Sequence, residues 1–143
     1  MIKKIMFLAT VFIVYFTSMC FASNGSLLTS EEKISEQAIA CIAGEADYTE
    51  LAKNFTPGLA KNLTASKFME LKKTVKEQLG SLSNSKLAIL QKFDKADRVI
   101  YLASGSKAKN VEVAFVFETV GKKPLLNEIT MRPLEMKPVA EKK

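Results

Sequence analysis

From Thr29 to Leu79 the apolar residues recur every three or four positions, and from Lys86 to Arg132 every second position, so the pattern changes once from helical to extended, near Gly80. In the first half, Thr29 and Glu32 have the spacing of a capping box. Ile34, Ala38, Cys41 and Ile42 follow on one helical face, with Gly44 as the stop. Asp47 with Glu50 repeats the capping pattern, and Tyr48, Leu51, Ala52 and Phe55 predict a second short helix over 47–55, or a bent continuation of the first. Thr56-Pro57 opens a further turn carrying Leu59 and Leu63, because proline suits the first helical position. Thr64 caps the longest helix, 65–79, with Phe68, Leu71, Val75 and Leu79 on its buried side, lysines over the rest and Gly80 at its end.

In the second half, 81–85 (SLSNS) reads as a loop. Residues 86–93 predict a strand with Leu87, Ile89 and Phe93 on one side, and Asp94 to Asp97 a tight turn. Residues 98–103 (RVIYLA) are apolar on both faces, which predicts a central strand, and 104–109 form the next turn. In 110–120, Val111, Val113, Phe115 and Phe117 face one way while Glu112, Ala114, Val116 and Glu118 face the other. Residues 121–124 turn the chain into a fourth strand, 125–132, closed by Pro133. Helices first and strands afterwards argue for an α+β fold, with N-terminal helices packed on a four-stranded antiparallel meander. The links between strands are short enough for hairpins. The domain is placed at 30–134, between a polar lead-in (23–29) and a charged, frayed tail (135–143).

Ahead of this domain stands a different pattern. Lys3 and Lys4 precede the run Ile5 to Phe16, whose one polar interruption is Thr10, and Cys20 and Ala22 supply small residues around a cut after Ala22. That is the make-up of a secretory signal peptide over 1–22. The run is short of the roughly 20 apolar residues a spanning helix needs. The expected compartment is therefore the periplasm or the exterior. The rival is a lipid anchor on Cys20, although Thr17, Ser18 and Met19 fit poorly ahead of a lipidated cysteine.

Composition narrows the chemistry more than it identifies it. Removing residues 1–22 takes two lysines and no acid from a chain of net charge +6. What remains is basic but dispersed, without the dense stripe and aromatics of a nucleic-acid surface. Only Cys41 of the two cysteines then remains, so no internal disulfide can form, and its apolar neighbours mark it as a core residue. The chain has no histidine, which removes Ser-His-Asp and Cys-His catalysis and histidine metal sites together. No acidic loop has calcium-site spacing, so neither metal nor cofactor is expected.

Asp47-Tyr48, Phe55, Leu63-Thr64, Phe68, Leu71, Leu79-Gly80, the strand Val111–Phe117 and Ile129 together resemble the nuclear-transport-factor-2-like superfamily over about residues 31–134. In detail the chain resembles small exported bacterial domains of uncharacterised function within it. The resemblance implies a sheet curled around the helices into a cone with an apolar mouth, and pairing of two copies through the open sheet face. The superfamily includes isomerases, dehydratases, epoxide hydrolases and non-catalytic binding or accessory domains, so the fold does not choose among them. None of its catalytic motifs can be placed on this sequence.

Three readings follow. The first is a non-catalytic binding or accessory protein of the bacterial envelope that takes an apolar ligand or an envelope partner. Its pocket would be lined by Tyr101, Val113, Phe115, Phe117, Ile129 and Met131. Taken singly, each of those residues more often simply fills the core under the helices. The second is an isomerase- or dehydratase-like enzyme, which needs a buried carboxylate beside a tyrosine hydroxyl. Tyr101 supplies the hydroxyl, but Asp94 and Asp97 are assigned to turn chemistry and Glu112 and Glu118 to the polar side of their strand, so no carboxylate is expected to point inward. The third is a partner-specific inhibitor or immunity protein.

Overall fold

Capping explains most of the helical half. The computed structural model describes residues 28–135. The signal segment with Cys20, most of the lead-in and most of the tail lie outside the described residues. Helix α1 spans 28–43. Because it already runs through residue 28, Thr29 sits inside it and is not its cap, contrary to the capping-box expectation. Gly44, at φ 84°, ends the helix. Helix α2 is Tyr48–Ala52, with the Asp47 carboxylate accepting from the Thr49 N–H. Helix α3 is Pro57–Asn62, capped by the Thr56 hydroxyl. Helix α4 is Ala65–Gln78, capped by Thr64 and followed by Gly80 at φ 76°.

Strands β1 (Leu82–Lys92), β2 (Ala96–Gly105), β3 (Val111–Val120) and β4 (Lys123–Pro133) form one antiparallel sheet in the order β1-β2-β3-β4. The fold is therefore α+β with a central β2, as its two apolar faces predict. Every strand starts at or before its expected first residue except β3. The largest difference is at SLSNS, which belongs to β1. Pairing persists through Leu82 and Ser83 because an irregularity between Ser83 and Lys86 absorbs Asn84, whose φ of 53° asparagine tolerates. A second shift, between Leu87 and Ile89, pairs Leu87 with Tyr101 but Ile89 with Ile100. These two leucine-like positions therefore face opposite sides of the sheet, and Phe93 lies beyond the strand, largely exposed.

The core lies between the helices and one sheet face. Ile34, Ala38, Cys41 and Ile42 of α1, with Leu51, Phe55, Phe68 and Val75, join Val99, Tyr101 and Ala103 of β2 and Val111, Val113, Phe115 and Phe117 of β3 in one cluster. The outer edge of β4 is covered where Thr56 N–H donates to Leu126 O and Leu126 N–H donates to Asn54 O. A bulge in β4 opposite Val116 and Phe117 frees Asn127, whose Oδ1 accepts from the Thr56 hydroxyl at 2.9 Å. None of the described helices is long and apolar enough to cross a membrane.

Candidate functional site

The strand register brings the six pocket candidates together. Tyr101, Val113 and Met131 form one cross-strand row, and Val99, Phe115 and Ile129 the next. Tyr101, Val113, Phe115 and Phe117 are buried in the core cluster, and Ile129 and Met131 pack half-buried against it. Tyr101 meets Phe115 edge-on, with ring centroids 6.0 Å apart. None of the six lines any of the three clefts described below.

The next row along holds what sequence reasoning missed. Asp97 pairs with Lys92 on β1 and Phe117 on β3, so its side chain points inward and is only 7% exposed. Its assignment to turn chemistry is corrected: it belongs to β2, and the turn ends before it. Over this row α1 places Glu31, which is fully buried. Ser35, one turn on, is also buried and spends its hydroxyl on the Glu31 carbonyl at 2.8 Å. Two carboxylates thus point inward where none was expected. The periodicity contained both. Extending the α1 stripe back one turn from Ser35 reaches Glu31, and stepping back two from Val99 reaches Asp97.

Burial, and then the neighbouring Asp97, raise the Glu31 pKa to about 7, while Lys92 acts in the opposite sense. Lys92 Nζ lies 3.1 Å from Asp97 Oδ2. Glu31 is the member of the pair whose burial favours the protonated form. As a carboxylate, Glu31 finds no hydrogen-bond donor for either buried oxygen among the described residues; as a carboxylic acid it can donate to Asp97. The arrangement is a proton-holding pair.

Tyr101 is a separate case. Its hydroxyl is buried without a hydrogen-bond partner among the described residues. Burial, with Glu36 and Glu32 adding to it, pushes the phenol up to about 12, so it stays neutral. Tyr101 stands four residues from Asp97 along β2, about 13 Å at the usual strand rise. Cys41, free and buried, is likewise pushed upward by burial, with Asp47 adding to it. That is the behaviour of a core thiol rather than a reactive one. Glu112 stays on the outer face as expected, held by Arg132 at 2.9 Å and Arg98 at 3.7 Å.

The open spaces lie elsewhere. One cleft of about 540 Å³ is lined by Ile34 and Pro124 with Lys33, Lys53, Lys122 and Lys123. A second, of about 610 Å³, has Ile42, Val75 and Leu82 beneath Lys72, Lys73 and Lys76. The third, of about 520 Å³, touches Asp97 and Glu118 at the β1–β2 end of the sheet. No cluster of candidate metal ligands occurs among the described residues. No family model, curated protein or solved structure matches the chain.

Proposed function

We propose that this is an exported, non-catalytic binding or accessory protein of the bacterial envelope, built on a cone-like fold of the nuclear-transport-factor-2-like kind and binding through its surface. The observation that supports this reading is the division of the molecule. The inward residues that could have lined a pocket are consumed in packing, and the clefts of ligand size open on the outside. Exposed Ile89 and Leu102 on the outer sheet face favour a protein partner as well as a small ligand. Native mass spectrometry of the protein purified from its own envelope tests the proposal. A mass shortened by residues 1–22 that carries a ligand or partner is the expected result. A full-length or cytoplasmic protein would refute export, and a bare mass under all conditions would refute binding.

The second reading, an isomerase- or dehydratase-like enzyme, is favoured by one observation: a buried acid with a raised pKa does exist, in Glu31. Its weakness is spatial. Glu31 and Tyr101 are both buried and line none of the three described clefts, and only Asp97, the partner of Glu31, reaches one of them.

A further inference from the structure

The lysine-lined cleft is assembled from three separate parts of the chain. Lys33 comes from α1, Lys53 from the end of α2, and Lys122 and Lys123 from the β3–β4 hairpin. One carboxylate lies among them, Glu50, and it is taken by Lys53 at 2.6 Å. Lys33, Lys122 and Lys123 have no acidic partner among the described residues. The walls are fixed. Val120 pairs with Lys123 across a two-residue turn, in which Gly121 at φ 67° adopts a conformation a side chain would strain. Buried Pro124 follows, and the strand beyond is tied to 54–56 by two backbone hydrogen bonds. Converging like charges repel in the free protein, and an anion relieves that repulsion.

The lysines of the second cleft have a simpler reason to be there. Lys76 stands in the last turn of α4, where a cation complements the helix dipole, and Lys73 Nζ is 3.9 Å from Glu77 Oε1. No such account covers Lys33, Lys122 and Lys123. The cleft contains ammonium groups and the amides of Gln37 and Asn54, but no guanidinium. Ammonium groups act as point charges suited to phosphate, whereas planar carboxylate recognition favours arginine.

We infer that this cleft binds a ligand carrying two or more closely spaced phosphate groups, either free in solution or displayed by lipid headgroups. The inference rests on the binding reading above and names its ligand class; export plays no part in it. Calorimetric titration of the full protein with inorganic tripolyphosphate tests the free form, and co-sedimentation with phosphatidylglycerol vesicles tests the headgroup form. The decisive comparison is between Lys33→Gln/Lys122→Gln/Lys123→Gln and a charge-matched control outside all three clefts, Lys61→Gln/Lys86→Gln/Lys109→Gln. All six positions are on the surface, and an unchanged Tm confirms folding. The cleft variant should weaken whichever probe binds by about ten-fold or more, and the control by much less. Equal weakening in both variants, or binding of neither probe at roughly 0.1 M salt, overturns the assignment. A co-purified ligand without phosphate would overturn it while leaving the binding reading intact.

Discussion

Replacing Glu31 with glutamine should make the protein more stable at pH 8 and leave it nearly unchanged at pH 5. The reasoning starts from the folded-state pKa of about 7, against 4.5 for an ordinary glutamate. A carboxyl whose pKa is raised on folding holds its proton more tightly in the native state. Stability is then fully present below the unfolded value, declines as pH rises from about 4.5 to about 7, and is flat above. At about 1.4 kcal/mol per pH unit the full loss is ~3 kcal/mol, and most of it falls between pH 5 and 8. For a domain of this size that corresponds to a drop in Tm of about 10 °C. The chain has no histidine, so no side chain with an ordinary pKa titrates in the middle of that window. The groups facing Glu31 are Asp97, which raises its pKa, and Lys92, which lowers it.

Glu31→Gln keeps the shape, carries no charge at any pH and can still donate to Asp97. Urea unfolding of both proteins at half-unit steps from pH 5 to 8 supplies the test. The difference between them should grow from under about 1 kcal/mol to ~3 kcal/mol as pH rises, with shared titrations cancelling. Asp97→Asn should flatten the wild-type slope only in part, because burial outranks Asp97 as the cause of the raised pKa. Parallel profiles for wild type and Glu31→Gln would refute the buried pair, whatever the absolute stabilities.

Other substitutions probe the same core. Tyr101→Phe removes a buried hydroxyl with no partner and should raise stability by about 1 kcal/mol; a loss of that size would mean the hydroxyl is hydrogen-bonded. Tyr48→Phe should cost about 1 kcal/mol in urea unfolding, since its hydroxyl donates to the Leu63 carbonyl at 2.6 Å. Gly105→Ala drives its Cβ against the Leu79 and Ala108 carbonyls, which are backbone and cannot yield, and should lower stability by roughly 2 kcal/mol or more. Gly121→Ala meets open space and pays only for its φ of 67°, about 1 kcal/mol, so the two thermal melts should be ordered accordingly.

Periodicity was a good guide to faces and a poor one to exceptions. Val111, Val113, Phe115 and Phe117 are all fully or almost fully buried, as strict alternation requires. The α2, α3 and α4 caps fall on Asp47, Thr56 and Thr64 because each is a local interaction between a side chain and the next turn. The misplacement of β1 has a non-local origin. SLSNS has turn composition, and only its pairing with Ser104 and Gly105, some twenty residues on, makes it a strand. The same holds for Leu87 and Ile89: a bulge is a property of two strands in register, so alternation within one cannot reveal it.

Glu31 and Asp97 show why the polar interior was hidden although their positions were not. Each lies on the apolar face of its element, but a carboxylate there reads as the end of the stripe, because an isolated charge is costly to bury. What makes burial tolerable is the other member of the pair, contributed by a segment more than sixty residues away, with Lys92 beside it. Neither acid, taken alone, reveals that partner. The converse holds for the lysine cleft. Lys33, Lys53, Lys122 and Lys123 each look like an ordinary solvated charge, and only the fold gathers them around one space. An acid on an apolar stripe should lead to a search for a second acid on the facing element. Dispersed lysines should be weighed after the hairpins are placed, since a tight turn such as 120–123 can carry two of them to a helix that the sequence leaves far away.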